Sequence, residues 1–263
     1  MSLPPLSSVG RGGPGWAPCD GPLRDLLRAA PDLGAAALGW SGLADTGGEG
    51  APVLVLPGFL ADDFATWPMR RHLARNGWAV RGWGLGRNHG RVGALLPPLL
   101  DQIAALADRH GEAVRLVGWS LGGVLARELA RRAPGGIRQV ITMGSPVVGG
   151  AKYTAYAPWM RRWGVDLDAE ERQVDARHTC AIPVPLDVIF SEQDGVVAWR
   201  ASQDPRPGPA YAEHRVGGSH AGLILRPEVL RLVHALLRAG GPTAPPLRPD
   251  RHPGPVGSAG PTG

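Results

Sequence analysis

The stretch Val114-Arg115-Leu116-Val117-Gly118-Trp119-Ser120-Leu121-Gly122-Gly123 decides how this chain reads. The run from Val114 to Val117 has the character of a buried strand, and an amphipathic helix pattern extends from Leu121 to Ala133. Between them, Gly118-Trp119-Ser120-Leu121-Gly122 has the form G-x-S-x-G, the strand-to-helix turn known as the nucleophile elbow, which presents a serine hydroxyl. Such a turn is too tight for bulky flanking side chains and holds the serine in a strained backbone conformation. A serine that merely capped a helix would not need glycine on both sides, so Ser120 is read as a nucleophile.

A serine alcohol is a weak nucleophile near neutral pH, so a base and a group that orients the base are required, in the chain order serine, acid, histidine. Leu186 to Ser191 reads as a strand, and the polar turn Glu192-Gln193-Asp194-Gly195 follows at its carboxyl end, where parallel sheets build ligand sites. Asp194 is the expected acid. Its simplest alternative role is that of a turn residue before glycine, and Glu192 and Asp187 are rival acids, Asp187 the weaker because it lies within the strand pattern. His214-Arg215-Val216-Gly217-Gly218-Ser219-His220 reads as a short strand entering a glycine-rich loop, and a helix follows from Pro227 to Ala239. Position in the chain favours His220 as the base over seven other histidines. Among these, His110 looks like a helix end before Gly111, and His234 lies within the last helix.

The negative oxygen of a tetrahedral intermediate needs preorganised donors, normally the amide after the nucleophile and one from the loop after the third strand. Leu121 and Phe59 are the corresponding residues. The second rests on Val53-Leu54-Val55-Leu56-Pro57-Gly58-Phe59, a buried-strand run ending in Pro-Gly, where the chain can turn back toward the nucleophile.

With these residues in place, the chain resembles the α/β-hydrolase superfamily, most closely its small bacterial lipases and esterases. The resemblance spans roughly 51–239. It rests on Pro57-Gly58-Phe59, the elbow through Gly123, Met143-Gly144-Ser145-Pro146 after the family's sixth strand, Asp194-Gly195 and Gly218-Ser219-His220. Many relatives carry His-Gly at the oxyanion loop, where this chain has Pro57-Gly58. The resemblance implies a serine hydrolase of carboxylic esters, with Ser120, Asp194 and His220 as catalytic residues, acting without metal or organic cofactor on a small-molecule or lipid ester. Acyl transfer and thioester cleavage use the same acyl-enzyme, and a non-catalytic binding protein on the same fold is a further alternative that predicts erosion of these motifs.

The alternation of strand and helix patterns, with Ala79 to Trp83 and Gln139 to Met143 as further strands, implies an α/β architecture: a mainly parallel sheet with helices on both faces. The segment 147–185 separates two core strands by far more than a usual connection, which predicts a small lid or cap insertion. It contains Tyr153, Tyr156, Trp159, Met160 and Trp163, residues that suit either packing onto the core or covering an acyl pocket, and Gly149-Gly150 is a candidate hinge. Trp119, Tyr156 and Trp159 are candidate pocket residues. Gly82, Gly84, Gly86 and Gly90 fail the dinucleotide-loop register, and Pro97-Pro98 is expected to interrupt the helix start that a pyrophosphate would need. Asn88 and His89 are read as turn formers within reach of the pocket.

A chain of 263 residues suits one domain with tails. Residues 1–21 and 240–263, rich in Pro, Gly and Ser without apolar periodicity, are expected to be disordered, leaving a domain over 22–239. Leu23, Leu26 and Leu27 suggest a short helix between Pro22 and Ala30, packing on the core or partly covering the site. The net charge is +5, but the arginines are dispersed and Lys152 is the only lysine, a pattern that argues for a solvated surface and against nucleic-acid binding. Cys19 and Cys180 are read as two free thiols. With no signal-peptide pattern or membrane-spanning run, the expectation is a soluble cytoplasmic protein without stable membrane insertion.

Overall fold

A computed structural model describes residues 15–18, 21–39, 47–177, 181–208 and 210–241. Among these, six strands form one sheet in the order β2-β1-β3-β4-β5-β6, every pair parallel. They are β1 (Pro52–Leu56), β2 (Ala79–Gly82), β3 (Val114–Trp119), β4 (Ile137–Met143), β5 (Leu186–Ser191) and β6 (Tyr211–Val216). The expected strands are all present. The strand leading to Phe59 is the first of the described residues' sheet and the one leading to Gly144 is the fourth, where the family count makes them third and sixth.

Alternation of side chains across the pleat sorts each strand between two cores. Leu54, Leu56 and Leu116 join Leu99, Leu125 and Leu129 on one face, where α3 (Val92–His110) and α4 (Leu121–Arg132) pack. Val53, Val55, Val117 and Ile141 join Met69, Leu223 and Val233 on the other, covered by α2 (Trp67–Arg75), α7 (Gly222–Leu225) and α8 (Pro227–Ala239). The chain therefore has helices on both faces, as the alternating patterns predicted.

Two expectations need correction. Pro97 and Pro98 do not interrupt a helix: they lie inside the 19-residue α3. Each removes an amide, but the carbonyls that lose a partner belong to Gly93 and Ala94, which are exposed and can bind water. Against a cost of about 3 kcal/mol per interior proline, α3 buries Leu96, Leu99, Ile103 and Leu106, each contributing about 1.5–3 kcal/mol. Burial wins. The early helix is also longer than expected, α1 running Pro22–Gly39. Leu23, Leu26 and Leu27 are 60–72% exposed, while Asp25 and Ala29 face the protein. Burial of a carboxylate in preference to three leucines is sustained by the backbone amides of Gly195, His220 and Ala221, from which Asp25 accepts hydrogen bonds.

Between β4 and β5 lie a 3-10 turn at Gly150–Tyr153, α5 (Ala157–Arg162) and α6 (Leu167–Arg177). Lys152 ties this unit together by pairing with Asp168 and Glu171, each at 2.6 Å, and Tyr153 donates to Glu171. Of the segments expected to be disordered, 1–14, 19–20 and 242–263 lie outside the described residues. Trp16 packs on Tyr153 with ring centroids 5.0 Å apart. Cys19 and Cys180 also lie outside the described residues. No helix among the described residues is long and apolar enough to cross a membrane.

Candidate active site

The chain leaves β1 for β2 on one side and returns to β3 on the other, so the loops following β1 and β3 diverge at the carboxyl edge of the sheet and open a crevice. Ser120 stands there, between β3 and α4, with φ 55° and ψ −124°. This left-handed conformation costs a non-glycine residue about 1–3 kcal/mol, which the surrounding packing must sustain. The cause is visible in the flanking glycines. A Cβ on Gly122 would lie 2.1 Å from the Leu56 carbonyl oxygen, and one on Gly118 would lie 2.5 Å from the Gly122 backbone. Strand β1 and the start of α4 thus approach more closely than any side chain permits. The Ser120 amide donates to the Met143 carbonyl at 2.8 Å, anchoring the turn to β4.

Asp194 and His220 come together from the loops after β5 and β6, with 2.7 Å between Asp194 Oδ2 and His220 Nδ1. Both are buried. The other carboxylate oxygen of Asp194 accepts from the amides of Val196 and Val197 at 2.8 and 2.7 Å, which fixes the carboxylate plane. Burial disfavours the imidazolium of His220, but the charge and hydrogen bond of Asp194, with a contribution from Asp25, hold its pKa above the usual 6.5. Trp119, the residue before the serine, lies against the imidazole with ring centroids 5.3 Å apart and donates from Nε1 to the His220 carbonyl at 3.1 Å. Among the described residues no hydrogen bond joins the Ser120 hydroxyl to His220. In free enzymes such contacts are often long and tighten only with substrate bound.

The rival acids are engaged elsewhere. Asp187 is buried between Gln139 and His214, each at 2.8 Å, and Glu192 lies on the surface beside Arg215.

Phe59 and Leu121 flank the serine. A Cβ on Gly58 would stand 3.0 Å from Ser120 Cβ, so the loop after β1 passes directly over Ser120. That loop is clamped by Asn88, which is fully buried: its side-chain amide donates to the Pro57 carbonyl at 2.9 Å, and its backbone exchanges hydrogen bonds with Leu60 and Ala61. Beyond it, a cavity of about 550 Å3 opens from Ser120 between Phe59, Leu121, Val124 and the α5–α6 unit. Tyr156, Met160 and Trp163 line it, and the Tyr156 ring meets Phe59 edge-on at 5.8 Å. Glu170 and Arg177 of α6 also line it. Two of the candidate pocket residues do not line it. Trp119 is taken up by the histidine loop, and Trp159, 60% exposed, points outward against Trp163.

No protein-family model matches the chain, and no curated protein matches it in sequence. Solved structures do match. The chain aligns with MGS-MChE2, an α/β-hydrolase enzyme from a lagoon-sediment metagenome, at a TM-score of 0.51 and 19% identity, covering 73% of this chain and 92% of that one. The fold is that of the α/β-hydrolases. The chain also aligns with one of LipS and LipT, two metagenome-derived lipolytic enzymes (TM-score 0.58, 14% identity, 73% and 95% covered), and with a thermophilic esterase from Thermogutta terrifontis (0.52, 20%, 74% and 92%). On this α/β-hydrolase scaffold, reasoning from sequence missed one site neighbour altogether. Asp25 reaches in from α1 to accept from the amides of Gly195, His220 and Ala221. Its only signal was an acidic residue amid leucines.

Proposed function

We propose that the protein hydrolyses carboxylic esters with an apolar acyl group, through an acyl-enzyme on Ser120. The observation that carries this reading is a buried Asp194–His220 hydrogen bond set beside a serine in a strained turn at the mouth of a largely apolar cavity. Asp194 holds the proton on Nδ1 of His220, which leaves the Nε2 lone pair free to act as base. Ser120 Oγ attacks the ester carbonyl carbon while its proton passes to Nε2. The carbonyl electron pair moves to oxygen, where the amides of Phe59 and Leu121 receive the charge. Collapse restores the carbonyl, breaks the carbon–oxygen bond of the leaving group and returns the proton from His220 to the departing alcohol. Water then repeats the sequence, releasing the acid and regenerating the serine. Each oxyanion donor of this kind typically accounts for about 2.7–4 kcal/mol of barrier lowering.

The α5–α6 unit serves as the cap of the acyl pocket, with Tyr156, Met160 and Trp163 as its apolar surface. A raised His220 pKa means that activity falls on acidification at a midpoint above pH 6.5, because the protonated imidazole cannot accept the serine proton. The test is turnover of p-nitrophenyl esters of increasing acyl length by the native protein and Ser120→Ala. The reading expects kcat/KM to rise by about fourfold per methylene, the equivalent of about 0.8 kcal/mol each, until the cavity is filled. Activity that survives in Ser120→Ala would refute it.

A further inference from the structure

We propose that Asp25, carried on α1 outside the sheet, is a positioning residue for His220: one buried carboxylate locks the acid turn and the histidine loop into a single unit. The proposal rests on the catalytic reading of Ser120, Asp194 and His220 above. Asp25 is 2% exposed and accepts three backbone amides from two loops. Oδ1 takes Gly195 at 2.8 Å and His220 at 2.7 Å, and Oδ2 takes Ala221 at 3.1 Å. Gly195 directly follows the acid, and the other two amides belong to the base and its neighbour. A helix-capping carboxylate satisfies the first amides of its own helix, whereas this one reaches across to loops 170 and 195 residues away.

Two further observations fit a built contact. A Cβ on Gly195 would lie 2.8 Å from Asp25 Cβ, so the glycine after the acid is the residue that admits Asp25. The same face of α1 continues with Arg28, which donates to the Gln193 carbonyl at 3.4 Å, and Asp32, which pairs with Arg226 at 3.6 Å. Positions 25, 28 and 32 lie on one helix face, and all three are turned to the loops that carry the acid and the base. This explains why the leucine face of α1 points outward.

The carboxylate acts on His220 in two ways. Its hydrogen bond to the His220 amide sets the height of the loop from which the imidazole projects. Its charge, next to that of Asp194, favours the imidazolium that forms when the serine proton is taken. The charged and titratable groups around this loop are Asp194 after β5, Asp25, Arg28 and Asp32 on α1, Arg226 before α8 with its partner Glu228, and Tyr156 before α5, whose hydroxyl pKa is pushed up by burial and by Asp25.

Asp25→Asn is the informative variant. It keeps the size but places an NH2 group against at least one of the three amide donors and removes the charge. The experiment compares the native protein, Asp25→Asn and Asp32→Asn as full chains. It reads the His220 imidazole titration by NMR in the resting protein, the thermal midpoint, and kcat and KM across pH. The expected result for Asp25→Asn is a lowered His220 pKa, with kcat down about tenfold to hundredfold and KM little changed. Asp32→Asn should alter the thermal midpoint alone. A folded Asp25→Asn protein with an unchanged His220 titration and unchanged kcat overturns the proposal, as does a lowered thermal midpoint with no other change. The NMR titration needs no turnover. A native protein that hydrolyses no ester but shows the His220 shift would therefore refute the catalytic reading and leave the Asp25 contact standing.

Discussion

Replacing Asp194 with asparagine should do more than remove a charge, because the structure dictates which way the new amide points. Asp194 Oδ1 accepts from two backbone amides, Val196 at 2.8 Å and Val197 at 2.7 Å. An asparagine must keep its carbonyl oxygen there, since turning the NH2 group toward two N–H donors would leave three buried donors facing one another, at about 1–3 kcal/mol for each unsatisfied group. The NH2 group is thereby aimed at His220 Nδ1, now 2.7 Å from Oδ2. A donor at that position demands a lone pair on Nδ1, so the proton moves to Nε2 and the imidazole can no longer accept from Ser120. A wrong tautomer of this kind lowers kcat by about 10⁴ in serine hydrolases of this chemistry, which corresponds to about 5.4 kcal/mol at 1.36 kcal/mol per decade. The assay is kcat and KM on the best p-nitrophenyl ester, with circular dichroism to establish that the variant is folded. Asp187→Asn is the companion, expected to retain kcat because Asp187 serves Gln139 and His214. A folded Asp194→Asn enzyme within tenfold of native kcat, or an Asp187→Asn enzyme that loses as much, would refute this assignment.

Three other outcomes are expected. Gly122→Ala places a methyl 2.1 Å from the Leu56 carbonyl oxygen, and overpacking should lower stability by about 1–3 kcal/mol, read in calorimetry as a fall of roughly 2–12 °C in Tm; an unchanged Tm would mean that the elbow is looser than described. Asp204→Ala leaves the buried Arg127 guanidinium without the carboxylate 2.7 Å away, and urea denaturation should report a loss of about 3–5 kcal/mol. His72 is held neutral, its pKa lowered to about 4 first by burial and then by His234 and Arg231. The unfolded chain takes up this proton near pH 6.5 and the folded one does not. Its stabilising contribution is therefore present above pH 6.5 and is lost as pH falls toward 4, so His72→Gln should flatten that part of the stability profile measured by denaturant titration. An identical slope in the variant would assign the acid sensitivity to other groups.

The central strands were legible because they are mostly apolar and buried along their whole length: Val53 to Leu56 is an unbroken apolar run, and Leu186 to Ser191 is apolar but for Asp187 and Ser191. The elbow was legible for a local reason, since the glycines around Ser120 reflect contacts with Leu56 and within α4 that any such turn must make. What stayed hidden depended on partners distant in the chain. Leu23, Leu26 and Leu27 read as a short helix without fixing which face it buries, and the carboxylate between them finds three amides that no local pattern reveals. Pro97-Pro98 read as a helix break because the burial of the α3 side chains that outweighs it depends on α4 and the sheet. Among the cavity candidates, Tyr156 lines it while Trp119 and Trp159 do not, a distinction set by side-chain direction rather than by residue type.

The most direct test of the account is reaction with a fluorophosphonate, followed by peptide mass spectrometry to locate the adduct. The expected result is a single adduct on Ser120, formed in step with loss of esterase activity and slowed in Asp194→Asn. An unlabelled Ser120 in folded protein, or an adduct on another residue that accompanies inactivation, would contradict the account.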